Sequence, residues 1–152
     1  MPLNNPCTDI TYPQYPLYTI SKGRADSMIT SKSLSRMKIH HYIAIEPQDE
    51  EPYEKALDKF NLRPYATLLL LPFSNHGDGP GRARNWCWDH AKDILGAEWH
   101  WVMDDNIADF YRLHKNFRYR VENGALFRSC EDICDRYENI QMAGLQYRFF
   151  IA

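Results

Sequence analysis

The sequence predicts an α/β fold, a mostly parallel sheet with helices on both faces. Three observations carry this. Short apolar runs alternate with amphipathic stretches between residues 17 and 105, in the order β-α-β-α-β-α-β with short connections. The run "YATLLLLP", 65–72, is almost continuously apolar, as a strand buried on both faces of a parallel sheet reads. Polar residues then gather where the runs end, at Ser21, Glu46, Ser74 and Asp104. In open α/β sheets that C-terminal edge is where ligands bind.

Each element has its own signal. Residues 1–16, rich in Pro, Asn and Tyr, read as an extended lead-in before a domain spanning 17–152. "LYTIS", 17–21, is a strand, and Gly23 permits the turn after it. "SMITSKSLSRM", 27–37, is a weak helix with Met28, Ile29, Leu34 and Met37 as its apolar positions. "HHYIAIEP", 40–47, is a second strand, stopped by Pro47. Pro52 fits the first turn of the next helix, whose preceding acids suit its positive end. Tyr53, Ala56, Leu57 and Phe60 repeat at i, i+3, i+4 and i+7 and form its inner face. After the 65–72 strand, Gly77, Gly79, Pro80 and Gly81 punctuate a loop. A helix begins near Arg82 with Ala83, Cys87, Ala91 and Ile94 on one stripe, ended by Gly96. "WHWVMDD", 99–105, is the fourth strand. Beyond it, 116–128 suggests a hairpin-like excursion. Residues 129–140 suggest a short helix with Ile133, Tyr137 and Ile140 inward, and 144–152 a strand in which the chain stops. That last feature fits either a structural terminal strand or a piece of a longer protein.

Composition narrows the classes. The chain has 152 residues, 44% hydrophobic, 14% aromatic and 25% charged, which suits one domain with a real core and excludes disorder. Its net charge is −2, so a polyanion would have to meet a local basic patch rather than a basic protein. The longest aliphatic run, Leu68 to Leu71, is too short to span a bilayer, and the N-terminus has no signal-peptide pattern. The expected location is the cytoplasm, with no membrane partner. Cys7, Cys87, Cys130 and Cys134 are then expected as reduced thiols. Cys130 and Cys134 have the i,i+4 spacing of two metal ligands, but no second Cys or His pair stands nearby.

Three segments carry chemistry. In "WHWVMDDN" a strand runs into Asp104, Asp105 and Asn106. Carboxylates at a strand end are hard oxygen ligands suited to Mg²⁺ or Mn²⁺, which could be shared with a nucleotide diphosphate; a helix cap or turn is the plainer reading. In "GPGRARN" a glycine-freed backbone leads into a helix N-terminus with Arg82 and Arg84 beside it, suited to phosphate or simply to water. It is neither a GxGxxG nor a Walker A loop. In "SCEDICDR", Glu131 and Asp132 are either helix-surface acids, with Asp132 spaced to pair with Arg136, or a general base with its neighbour.

Taken in order, "TISKGRA", "IAIEP", "GRARN", "VMDDN" and "CEDICDR" resemble nucleotide-sugar glycosyltransferases of the GT-A fold, across residues 17 to 150. More closely, "EPQDEEPY", "LPFSNHGDGPGRARNW" and "WHWVMDDNI" resemble the TET-associated glycosyltransferases, a family encoded largely by phages and linked to hydroxymethylated pyrimidines in DNA. The resemblance implies a metal-dependent, inverting transfer from a nucleotide-diphosphate sugar, UDP-sugar foremost, to a hydroxyl. It implies Glu46 on the base, Ser21 and Arg24 beside the nucleotide, Arg84 and Asn85 on the diphosphate side and Asp104 at the ribose or sugar. It further implies Asp104, Asp105 and Asn106 at the Mn²⁺ or Mg²⁺, with Asp132 as proton acceptor supported by Glu131. One departure is Asn106, which stands where the usual metal motif has Asp and offers only a neutral carbonyl. "FYRLHKNFRYR", 110–120, interleaves aromatics with Arg112, Lys115, Arg118 and Arg120 and would suit a DNA acceptor; an ordinary alternating strand, with Phe117 and Tyr119 inward, is the competing reading. Other classes remain open at this point: a non-catalytic nucleotide- or DNA-binding module, and a nucleotidyltransferase.

Overall fold

The computed structural model describes residues 9–75, 77 and 79–146. Cys7 and most of the strand expected at 144–152 lie outside them. The order is β1 (Leu17–Ile20), α1 (Ile29–Arg36), β2 (His41–Ile45), α2 (Glu50–Lys59), β3 (Ala66–Leu70), α3 (Gly81–Asp89), β4 (Trp101–Asp104), β5 (Tyr111–His114), β6 (Phe117–Arg120) and α4 (Ala125–Arg136). The first four strands form one parallel sheet, ordered β3-β2-β1-β4, flanked by helices in a Rossmann-like arrangement.

The strand order locates the site. The chain winds outward from β1 to β2 to β3, then crosses back to lay β4 on the other side of β1. Parallel crossovers are right-handed, so reversing the direction of winding puts the intervening helix on the opposite face. The cores agree. Ile43 and Ile45 pack with Tyr53, Ala56 and Leu57 of α2, and Leu17 and Met103 with Leu34 of α1 and Phe127 of α4. On the other face Tyr18 and Ala44 pack with Ala83 and Cys87 of α3 and with Ala91. Strand β1 is therefore the switch point, and the crevice between its end and that of β4 is the place for a ligand.

Several details differ from the sequence reading, each for a local reason. The β3 run is not buried on both faces: β3 is the outer strand, and Thr67 and Leu70 are exposed. On the α3 stripe Ala83, Cys87 and Ala91 are buried, but Ile94 is 71% exposed. The helix continues through His90–Ile94 as a π-helical turn, and the wider turn rotates Ile94 away from the sheet. The excursion after β4 is a hairpin that starts earlier than expected. Lys115 and Asn116 both have positive φ, 48° and 65°, the pattern of a type I′ turn. Both of its strands are exposed, so Phe117 and Tyr119 are not inward. Helix α4 also starts earlier, at Ala125, and buries Phe127 and Glu131. Ile133 and Tyr137, expected inward, are 52% and 56% exposed. Among the described residues no helix is long and apolar enough to cross a membrane.

Candidate functional site

At the switch point the pleat separates two neighbouring carboxylates. Successive residues of a strand face opposite sides of the sheet. On β4, Met103 faces α1 and Val102 faces α3. Asp104 accordingly turns to the α3 side, where its carboxylate meets the Arg84 guanidinium at 2.7 Å. Asp105 turns to the other side and meets Ser21 and Arg24.

The Asp105 side is a closed ring of hydrogen bonds. An ionised carboxylate only accepts, so Ser21 Oγ donates to Asp105 Oδ2, at 2.6 Å. The Tyr53 hydroxyl must then donate to Ser21 Oγ, at 2.5 Å. Tyr53 in turn accepts the Arg24 backbone N–H at 3.1 Å, and the Arg24 side chain returns to Asp105 Oδ1 at 2.8 Å. Burial raises the Tyr53 pKa above its ordinary value, which keeps the hydroxyl protonated for this task. Ser21 is buried and its backbone N–H is bonded to Ala44, so the ring is anchored in the sheet.

Asp104 is more open. Its side chain is 47% exposed, against 16% for Asp105, and its Arg84 partner is 48% exposed. Asp104, Asn106 and Arg84 line a cleft of about 840 Å³, continued by Asp109 and Phe110 and by Tyr111, Arg112, Leu113 and Arg118 of the hairpin. Asn85 is exposed on α3.

Glu46, at the end of β2, forms a second polar corner. It accepts from Lys22 Nζ at 3.0 Å, from Gln48 Nε2 at 2.6 Å and from the Asn75 N–H at 2.9 Å. Burial alone would raise its pKa; the Asn75 N–H, Lys22 and Gln48 together outweigh this and hold it at about 2. Glu46 therefore stays an anionic acceptor throughout the physiological range.

The acids of α4 are placed elsewhere. Glu131 is buried and accepts the N–H groups of Gln14 and Tyr15 and the Trp101 Nε1–H, at 2.6, 3.2 and 2.7 Å. Burial raises its pKa, and those three donors and Arg128 moderate the rise. It thus ties the lead-in to α4 and to the beginning of β4, the end remote from Asp104. Gly124 makes the same junction close, since a Cβ there would lie 2.6 Å from the Thr11 carbonyl. Asp132 is on the helix surface, bonded to Arg128 at 3.1 Å rather than to Arg136. Neither Glu131 nor Asp132 lines the 840 Å³ cleft.

Among the described residues no group of three His, Cys, Asp or Glu side chains could hold a metal ion. That includes Cys130 and Cys134, which are free thiols, as is Cys87. Asp105 is bonded to Ser21 and Arg24 and does not line the cleft. The donors left at the cleft, the Asp104 carboxylate and the Asn106 carbonyl, are hard oxygens, and they fit Mg²⁺ or Mn²⁺ only as a partial set that a bound phosphate would complete.

Two residues that sequence reasoning passed over also build the site. Tyr53 was legible only as an apolar helix position, although its hydroxyl closes the ring. Thr30, inside a helix that looked weak, is buried and bonds to the acidic turn.

No curated protein and no solved structure matches the chain well enough to be compared with it. The model of one family, TET-Associated Glycosyltransferase, matches residues 15–152, nearly the whole chain. That stretch contains every part of the switch-point site, and the chain belongs to the TET-associated glycosyltransferase family.

Proposed function

We propose that this glycosyltransferase binds a nucleotide-diphosphate sugar, UDP-sugar foremost, at the β1–β4 switch point and transfers the sugar to 5-hydroxymethylpyrimidine in DNA. The observation that carries the reading is the gathering of Ser21, Arg24, Arg84, Asp104 and Asp105 at the ends of β1 and β4, with Asp104 and Arg84 opening onto the cleft. Glu46 is acceptor-only and suits a base that presents an N–H donor, as uracil does. Arg84 exchanges its Asp104 partner for a diphosphate oxygen, and Asn85 lies beside it on the same helix. Asp104 and Asn106 would hold a divalent cation, which when bound neutralises diphosphate charge as the leaving group departs. The hairpin supports a DNA acceptor. Arg112, Lys115, Arg118 and Arg120 fall within ten residues that contain no acid, in a chain of net charge −2. Tyr111, Phe117 and Tyr119 are exposed among them, available to stack on a base.

In this reading Asp132 takes the acceptor's proton, and inversion follows from attack opposite the leaving group. Since Asp132 stands outside the cleft, the acceptor has to bring α4 and the cleft together. Asp132→Asn should leave donor affinity intact and slow transfer about 10²–10⁴-fold. Full activity in that variant would reduce Asp132 to its ion pair with Arg128. The function itself is tested by incubating hydroxymethylated DNA with a panel of nucleotide sugars and Mn²⁺, then weighing the nucleosides. A hexose-type mass gain is expected. Donor hydrolysis without any gain on DNA would redirect the acceptor to a protein or small molecule.

A further inference from the structure

We infer that Thr30 is a positioning residue that sets the acidic turn of the site from the first turn of α1, an inference that rests on the proposed glycosyl-transfer site. The turn after β4 has no neighbouring strand beyond Asp104 to hold it, because the β1–β4 pairing ends at Ile20 and Asp104. Among the described residues its backbone is held instead by Thr30. Thr30 Oγ1 donates to the Asp104 carbonyl at 2.7 Å and accepts the Ile107 N–H at 2.8 Å. The Thr30 N–H adds a longer bond, 3.3 Å, to the Asp105 carbonyl. A donor-and-acceptor hydroxyl is the smallest group that could satisfy both ends of such a turn, and Thr30 is 1% exposed, so water does not share the task.

The local backbone is bent to make this reach. The N–H groups of a helix's first turn have no intrahelical partner, which leaves that of Thr30 for Asp105. Met28, directly before α1, has φ of 47°, a left-handed conformation that is unfavourable for a residue with a side chain. Met28 is nonetheless buried in the α2 core. The chain thus accepts strain at 28 and inserts residue 30 under the acids. The consequence is functional. With the carbonyls of 104 and 105 and the amide of 107 fixed, the carboxylate of Asp104 is aimed at the cleft and that of Asp105 at Ser21, and neither can rotate to the other's place.

The test uses the whole chain in three forms, wild type, Thr30→Val and Thr30→Ser. Hydrogen exchange resolved by residue should show the Ile107 amide protected in wild type and Thr30→Ser and released in Thr30→Val. Turnover of UDP-glucose with Mn²⁺, followed by UDP release, should lose about tenfold to a hundredfold in kcat in Thr30→Val with KM little changed. Thr30→Ser should restore it. An Ile107 amide as protected in Thr30→Val as in wild type overturns the inference, as does wild-type kcat in that variant. Should Thr30→Val fail to fold, the wild type still decides: an Ile107 amide exchanging as fast as that of Asn106 overturns it. If wild type releases no UDP while the exchange pattern holds, the transferase reading fails for this donor and the hold of Thr30 on the turn stands.

Discussion

Asp104 and Asp105 are adjacent in sequence and share one strand end, yet they sit in opposite environments. Asp105 is enclosed on the α1 and α2 side, accepting from Ser21 and Arg24, which Tyr53 links to each other. Asp104 is half exposed on the α3 side, in an ion pair that solvent reaches. The pleat alone makes this division. A pair of carboxylates that reads as one metal motif becomes, once folded, one mostly buried acid held by Ser21 and Arg24 and one half-exposed acid that opens onto the cleft.

The largest effect of a substitution should come from breaking the enclosed side. Asp105→Ala leaves Ser21 and the Arg24 guanidinium without their acceptor. Asp105 is mostly buried, while Arg24 is half exposed and screened, so the loss should be about 2–3 kcal/mol, at the low end for a disrupted buried pair. Thermal unfolding should show Tm lower by about 4–12 °C. A change near zero would mean that the ring is decorative.

Acid should separate fold from site. His41, buried at the start of β2, is pushed by desolvation from 6.5 down to about 4, partly offset by its bond to the Ile39 carbonyl. A base whose pKa is depressed in the folded state is protonated more readily when unfolded, so stability is present above pH 6.5 and lost as pH falls toward 4. The loss amounts to about 3 kcal/mol for a shift of this size. Glu46 is also depressed, from 4.5 to about 2, so its contribution is lost only in the lower window. Denaturant titrations between pH 7 and 4 should therefore show stability falling while the Glu46 corner keeps its charge. His41→Asn should flatten the slope above pH 4. An unchanged slope would assign it to other groups.

The smallest effect concerns the open side's rim. Arg118→Ala with Arg120→Ala should weaken binding to DNA evenly across sequences and reduce the salt slope by about 1–2. Arg118 lines the cleft and Arg120 does not, so Arg118 should account for more of the change. A salt slope identical to wild type would remove the hairpin from the acceptor surface.

The sequence made the frame of the molecule legible because periodicity and strand ends are local. The alternation of runs placed β1 to β4 and α1 to α3, and the polar residues ending the runs placed Ser21, Glu46 and Asp104 at one edge. What it hid depends on partners distant in the chain. Tyr53 fits an apolar stripe whether or not its hydroxyl matters, and its partner Ser21 is 32 residues away. Thr30 reads as a poor helix residue until residues 104 to 107 arrive beside it. Glu131 looks like its neighbour Asp132 in sequence, and only the fold brings Gln14, Tyr15 and Trp101 to it. Burying that acid also reset the phase of α4, which is why Ile133 faces water where an apolar pattern put it inside.

The division of labour between the two carboxylates is tested most directly by comparing Asp104→Asn with Asp105→Asn, measuring thermal stability and calorimetric UDP binding with and without Mn²⁺ on the same preparations. The expected result is a crossed pattern. Asp104→Asn should keep the wild-type Tm and lose about tenfold or more in Mn²⁺-dependent UDP affinity, the loss of one charged contact. Asp105→Asn should lower Tm, and the protein that remains folded should keep most of its Mn²⁺ dependence. Equal loss of Mn²⁺-dependent binding in both variants with no loss of stability in either would contradict it, and would make the two acids the single metal motif that their adjacency suggests.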